Sequence, residues 1–388
     1  MTDTGTLLRG LLTAGGLGML LCLAPGGTAL AQDGGGYDPV YEVHDLVVDE
    51  TAGSETAAKA AGLASAKRRA LREVLSRLLP DGRAALFPEL PPAELENLIH
   101  GFWLTDEKFS RGQGRYLARV NVRFRQDAVR GLLRGRGIPH AETAAAPALV
   151  LPLLRTGGRV LLWEEDNPWM RAWAARPPRP SLTPLRLPLG DIADITGFPP
   201  SALLQTGPQH RINLARKYGA RHVLLAVAEV VNGAEGRPPR IVVKLVMEGP
   251  GWRGFSRQID VRGEAGEPLD KLLEAAVAQS VIPAEEDWKR RLAMDFQPPV
   301  RQVSVYLPLR GLRNWIDLQR LLAEEPALDS VTLRELSVSR ALLTLSHWGA
   351  SGQLDLALMQ HGLQLTLSPE NPYYVLQQED PPAAGTPG

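Results

Sequence analysis

The sequence predicts an α+β protein: three small mixed domains behind a signal peptide, the last a ferredoxin-like β-α-β-β-α-β unit. Three observations carry this. Segments that alternate apolar and polar residues are interleaved with segments whose apolar residues recur at three and four. Pro and Gly, at 32 and 38 residues, punctuate them at short intervals. A chain of 388 residues divides into roughly two to three domains at about 150 residues each.

The N-terminus reads as a signal peptide. Arg9 is the last charge before an apolar run from Leu11 to Ala24, and Ala29-Leu30-Ala31 supplies a small-x-small cleavage site. Residues 1–31 are therefore expected to leave after Ala31, so that Gln32 begins the mature chain. Gly15, Gly16, Gly18 and Pro25-Gly26-Gly27 interrupt the run, which argues against a stable membrane span after cleavage. An uncleaved anchor is the alternative. Cys22, the only cysteine, follows Leu20-Leu21, where a lipid-attachment site wants a small residue. It leaves with the leader, so disulfides, thiol nucleophiles and cysteine metal sites are excluded from the mature chain.

Residues 32–40 read as a flexible leader to an N-terminal α+β domain, 41–139. Tyr41 to Val48 is a strand. Ser54 caps a long helix to about Leu79, with Leu63, Ala66, Ala70, Val74 and Leu78 on one stripe, widened by Leu71 and Leu75. Pro80-Asp81-Gly82 ends it. Pro91-Pro92 opens a short helix from Ala93 to about His100. Phe102 to Phe109 and Tyr116 to Phe124 form a hairpin across Ser110–Gly114. In its second strand Tyr116, Ala118, Val120, Val122 and Phe124 face one way, and Leu117, Arg119, Asn121 and Arg123 the other. Ala128 to Arg136 is a helix stopped by Gly137-Ile138-Pro139.

Residues 140–147 are expected to be a linker to a middle α/β sheet domain, 147–296. Ala148 to Leu154 and Val160 to Trp163 are apolar runs around the turn Thr156-Gly157-Gly158. A Pro-rich passage from Pro177 to Pro188 leads through Leu185 and Leu187 to a helical stretch from Gly190. Pro208 opens a helix that Gly219 stops, and the strand Val223 to Val230 follows at once, the rhythm of a sheet covered by helices. Ile241 to Met247 and Gly254 to Val261 are strands, and Pro268 to about Trp288 a helix interrupted near Pro283. In the last domain, 300–376, strands at Val303–Leu307, Val331–Leu336, Ala341–Trp348 and Leu363–Leu367 alternate with helices at Leu312–Ala323 and Leu354–Gln360 in the ferredoxin-like order. The tail, 377–388, has no apolar period and is expected to be disordered.

Two segments could carry binding. Trp163-Glu164-Glu165-Asp166-Asn167-Pro168-Trp169, with Trp173, offers three acids and an Asn on one turn for a hard cation, or three indoles as a stacking platform for sugars or for a partner's apolar anchor. The bland reading is a turn, a helix start and tryptophans covering the sheet. Residues 108–136 hold nine basic residues (Lys108, Arg111, Arg115, Arg119, Arg123, Arg125, Arg130, Arg134, Arg136) against one acid, Asp127. Arg119 and Arg123 share a strand face with Arg115 near its start, so anionic ligands or an acidic partner are candidates. Here the bland reading is a solvated basic face balanced by acids elsewhere.

Catalytic signatures are missing: no His-Glu-x-x-His, no Gly-x-Ser-x-Gly and no phosphate-binding Gly-Lys-Ser/Thr loop. The seven histidines show no ligand spacing, so no metal or cofactor is assigned. The 43 basic and 43 acidic residues cancel, which with export sets nucleic acid aside as a partner.

Lys108-Phe109-Ser110, Arg115-Tyr116-Leu117-Ala118, Phe124 and the Val129/Leu133/Gly137 helix resemble the bacterial domain-of-unknown-function 2066 proteins. So do Leu161-Leu162-Trp163 with Trp169 and Trp173, and the terminal Trp315, Leu321, Val331, Leu333, Leu336, Leu345, Gln353-Leu354 and Gly362-Leu363. The resemblance runs from about Tyr41 to Leu376 through packing patterns. It implies an exported Gram-negative envelope protein and supplies no catalytic residues. The first domain is similar in plan to the N-terminal domain of flagellar assembly protein T. The middle one is similar to periplasmic domains of curli-secretion lipoproteins, of penicillin-binding-protein activators and of the Tol translocation protein. The leading expectation is a periplasmic, non-enzymatic protein that binds or scaffolds another envelope protein or peptidoglycan. The alternatives are a cell-wall hydrolase using middle-domain carboxylates and a membrane-anchored accessory factor.

Overall fold

Alternation and helical period become a mixed α+β architecture of three sheets in a computed structural model, which describes residues 38–110, 114–231, 238–367 and 373–378. The expected signal peptide and most of the flexible leader lie outside the described residues. The leader's last residues do not trail free. Asp38 caps a 3₁₀ turn at Pro39–Tyr41, and Val40 and Tyr41 are buried.

The first unit comprises β1 (Glu42–Thr51), α1 (Glu55–Leu78), α2 (Pro92–Leu98), β2 (Ile99–Ser110), β3 (Arg115–Phe124) and α3 (Gln126–Gly135). Its antiparallel sheet has the order β1-β3-β2. The inward residues of β3 (Tyr116, Ala118, Val120, Val122 and Phe124) are buried, as their alternation requires. Helix α1 lies on that face. It begins at Ser54, whose hydroxyl accepts from the Ala57 amide, and buries Ala58, Gly62, Ala66 and Ala70 at intervals of four. Small residues let helix and sheet approach closely: a Cβ on Gly62 would stand 2.5 Å from Val48 Cγ1.

The middle unit contains β4 (Ala148–Thr156), β5 (Arg159–Leu161), α4 (Pro168–Ala175), β6 (Leu185–Arg186), α5 (Ile192–Gly197), α6 (Pro200–Gln205), α7 (Pro208–Lys217), β7 (His222–Val231), β8 (Arg240–Glu248), β9 (Ser256–Arg262) and α8 (Leu269–Leu292). The sheet runs β5-β4-β7-β8-β9, with β6 pairing β4, and β4 is parallel to both β6 and β7. Both faces are covered. Leu149, Leu151, Leu153, Val223 and Leu225 pack with residues of α6 and α7, while Val150, Leu224, Ala226 and Ala228 join the main core with α4 and α8. Helix α8 corrects the expected interruption: Pro283 lies inside it without ending it. Proline removes one helical hydrogen bond, but buried residues on both sides (Val277, Val281, Ala284 and Trp288) hold the two turns against the sheet.

The last unit comprises β10 (Arg301–Pro308), α9 (Leu312–Glu324), β11 (Leu328–Leu336), β12 (Arg340–His347), α10 (Ser351–Gln360), β13 (Leu363–Leu367) and β14 (Tyr374–Gln378). Its sheet order is β11-β12-β10-β14-β13. The six expected elements are present in their expected order, but a fifth strand intervenes. β14 pairs in parallel with β10 and antiparallel with β13. This strand carries Gln377 and Gln378, which the sequence reading placed in the tail. Its signal was weak because only Leu376 is fully buried.

From Asp38 onward the chain is one compact unit. The expected linker is its interior seam. His140, Ala141, Glu142, Thr143, Ala145 and Ala146 are all buried. His140 bridges backbone to backbone with Met294, and the Ala141 amide donates to the Leu78 carbonyl. Trp288 Nε1 donates to Thr143 O, Thr143 Oγ1 to Glu325, and the Ala146 amide to Gln360 Oε1. A stretch rich in alanine reads as linker, yet small side chains are also what a buried crossing requires.

Candidate functional site

Helix α1 covers one face of the first sheet. On the other face the registered pairs Val47–Arg119 and Trp103–Asn121 bring β1, β2 and β3 side chains together. Val47 is 53% exposed and Trp103 40%, large apolar surface for a finished face. The Trp103 ring meets the His44 ring edge-on with centroids 5.9 Å apart, and the Arg123 guanidinium carbon lies 5.8 Å from the Trp103 centroid. Beneath them is Glu42, buried, its carboxylate 3.5 Å from Arg123 Nε and 3.6 Å from His44 Nε2.

Both strands that flank β3 are bulged here. The pairing of β1 shifts register between Val43 and Leu46, and that of β2 between Thr105 and Lys108. Each bulge holds an aspartate in the left-handed region, Asp45 at φ 57° and Asp106 at φ 53°. Asn121 Oδ1 accepts from the Asp45 amide and so fixes the first bulge to the central strand. Bulges twist an edge strand and re-aim its side chains, and they deter continuation of the ladder by another chain.

The basic run is not a bare cationic patch. Arg115 makes a two-point contact with Asp49, at 2.7 and 2.6 Å, and holds that carboxyl below its ordinary range. Arg119 lies 3.5 Å from Asp106. Further along, Arg130 pairs with Glu142, Arg136 with Glu94, and Arg134 stacks on Phe296. Acids outside the run, Asp49, Glu94, Asp106 and Glu142, supply the counter-charges, which residues 108–136 alone do not show. Arg111 lies outside the described residues. The face is thus mixed in charge and centred on an indole, which suits a protein surface better than a polyanion. Sequence reasoning found Arg115, Arg119 and Arg123 but missed Trp103, His44 and Val47. The alternation of β2 would have set Trp103 on the face opposite Phe102.

The tryptophan segment is a correction. Trp169 and Trp173 are buried, edge to face at 5.8 Å, and Trp169 Nε1 donates to Ala226 O on β7, so neither offers an exposed platform. Asn167 caps α4, accepting from the amides of Trp169 and Met170. Trp163 is half-buried over Gly190 and donates to Phe198 O. Glu164 accepts from the Leu162 amide, while Glu165 and Asp166 stay exposed. No group of three or more His, Cys, Asp or Glu is placed to hold a metal ion among the described residues. Among the other middle-unit acids, Glu248 takes Arg211, Glu285 takes Ser181, and Glu286 takes Lys289 and the Asp81 amide. No helix among the described residues is long and apolar enough to cross a membrane.

No family model and no curated protein matches the chain. Among solved structures, a PelC dodecamer from Paraburkholderia phytofirmans is similar at 15% identity, over 37% of this chain and 93% of that one, with a TM-score of 0.23. The LpoB C-terminal domain from Salmonella enterica is similar at 22% identity, over 35% of this chain and 93% of that one, with a TM-score of 0.19.

Proposed function

We propose that this chain is a periplasmic, non-enzymatic binding factor of the Gram-negative envelope, which holds a partner protein on the outer face of its first sheet. The observation that carries the reading is the exposure of Trp103 and Val47 on that face, ringed by Arg119, Arg123 and His44. Buried Trp and Arg anchors dominate association energies, and a rim of paired charges adds orientation more than affinity. The export reading of residues 1–31 places the partner in the envelope, as does the resemblance to domain-of-unknown-function 2066 proteins.

The experiment is affinity purification of a tagged full-length copy from envelope fractions, beside W103A and the R119E/R123E double variant. A partner that co-purifies with the parent and falls at least tenfold in both variants, each still folded, is the expected outcome, since truncating an interface tryptophan costs about 2 kcal/mol or more. Undiminished recovery by both variants would move the binding surface elsewhere. Control substitutions at Leu86, 84% exposed, should change nothing.

A further inference from the structure

A surface helix ordinarily buries its apolar stripe and turns its polar residues to water. Helix α5 does the reverse. Ile192 is 81% exposed and Ile195 46%, and Leu189, three residues before the helix, is 85% exposed. Asp194, two positions after Ile192 and so nearly opposite it around the helix, is fully buried. The spacing of three puts both isoleucines on one side, with Leu189 just ahead of them.

Polar contacts hold the segment this way round. The Asp194 carboxylate accepts from the Tyr218 hydroxyl and from Lys217 Nζ, the latter at 2.8 Å. Lys217 also meets both oxygens of Asp191, at 2.8 and 2.7 Å, and Asp191 caps α5 by accepting from the Asp194 amide. The Leu189 amide donates to the Tyr218 hydroxyl oxygen at 2.9 Å. Gly190, at φ +69°, passes beside Trp163, where a Cβ would stand 3.3 Å from the ring, and the Trp163 indole donates to Phe198 O at the far end. Rolling α5 to bury its isoleucines would strand a buried carboxylate, which costs more than the apolar area returns. The three aliphatic side chains are therefore presented ready-made, with little order left to lose on association.

The size and surround of the stripe decide what covers it. Three aliphatic side chains amount to roughly a few hundred Å² of apolar surface. Each partner in a stable protein complex buries about 800 Å². A second copy or a folded partner would need more surface than the stripe offers. A bilayer has no such threshold: acyl chains close around each protruding side chain, and the gain follows the apolar area. The charges agree. Arg186, exposed and bonded to the carbonyls of Tyr218 and Gly219, stands at the foot of the stripe where anionic headgroups would lie, and Lys217 holds both nearby carboxylates. We propose that Leu189, Ile192 and Ile195 dock this chain reversibly on a membrane surface, entering the boundary between headgroups and acyl chains. The contact is separate from the outer face of the first sheet and does not depend on that reading.

The test is co-sedimentation of the purified protein with phosphatidylcholine vesicles, with and without phosphatidylglycerol. The parent should bind both, and the mixed vesicles more tightly. L189S/I192S, which trims two exposed side chains and should keep the parent's denaturation midpoint, should bind both at least tenfold more weakly. R186Q should cost about fivefold on the mixed vesicles and little on the neutral ones. L86S, at an exposed leucine elsewhere, and W103A, on the first sheet, should bind as the parent does. All variants carry the parent's N-terminus, so the difference reads the stripe alone. Equal vesicle binding by the parent and L189S/I192S would overturn the proposal. So would a parent that ignores vesicles, and a protein recovered from envelope fractions by the parent but not by L189S/I192S would then assign the stripe to a protein groove.

Discussion

At the scale of single residues, His222 shows how burial sets both stability and its pH dependence. Its Nε2 meets Gln360 Oε1 at 3.0 Å, and its Nδ1 is buried close to the Gly249 backbone. Burial pushes its pKa from 6.5 down to about 4. The unfolded chain therefore takes up a proton below pH 6.5 that the folded chain refuses until about pH 4. Stability from this group is complete above pH 6.5 and is lost as pH falls through that window, by about 3 kcal/mol in all. Urea unfolding of the parent and of H222Q at pH 7 and pH 4.5 checks this. The parent should lose stability over the interval by a larger margin than the variant, and equal losses would contradict it. Glu142 behaves in the opposite chemical sense. Burial alone would raise its carboxyl, but hydrogen bonds from His140 and Arg130 outweigh that and hold it below the ordinary range. Its contribution is present above that range and fades only in stronger acid. None of this was legible in the sequence, where His140, His222 and Glu142 looked like ordinary polar residues in loops or at strand starts.

Among elements, β2 departs furthest from its sequence pattern. Its alternation predicts a plain strand, and the central partner β3 conforms because every inward residue is buried. β2 is an edge strand whose side chains are mostly exposed, so packing does not hold it to one register. The bulge at Thr105–Lys108 and the left-handed Asp106 follow from that freedom. Aspartate tolerates this conformation, glycine adopts it without steric cost, and β-branched residues resist it. D106G should therefore leave stability unchanged or raise it by up to about 1 kcal/mol, since the exposed contact to Arg119 is worth little. D106V should cost more than about 1 kcal/mol. Denaturant midpoints decide, and a D106V protein as stable as the parent would mean the bulge relaxes freely. The long elements α1 and β4 were legible from their periods. The bulges, the two-residue β6 and the late β14 were not, because their cause is pairing with strands distant in the chain.

For the whole molecule, the segment 140–147 decides how the three sheets hold together. Its composition predicts a linker, and it does connect the first and middle sheets, but it is buried and hydrogen-bonded to elements of all three units. Gln360 on α10 is the clearest tie: its Oε1 receives both the Ala146 amide and His222 Nε2, and its own Nε2 donates to Leu356 O. Q360L would strand two buried donors, so a loss of about 2–4 kcal/mol is expected. If the units are coupled as described, unfolding of Q360L should remain a single transition at lower denaturant. A separate early transition for the last unit alone would show that the seam does not couple them. The same long-range pairing explains the candidate site. Arg119 and Arg123 were legible as a strand face, but the acids that temper them and the indole beside them come from β1 and β2, and only the fold brings them together.

The most direct test of the central claim places a photo-crosslinking amino acid at Thr105, on the proposed binding face, and at Leu86, exposed elsewhere, in otherwise unaltered cells. A discrete adduct from position 105 that W103A abolishes, and that position 86 never gives, is the predicted result. The same adducts from both positions, or an adduct at 105 that W103A leaves intact, would contradict a partner seated on the outer face of the first sheet.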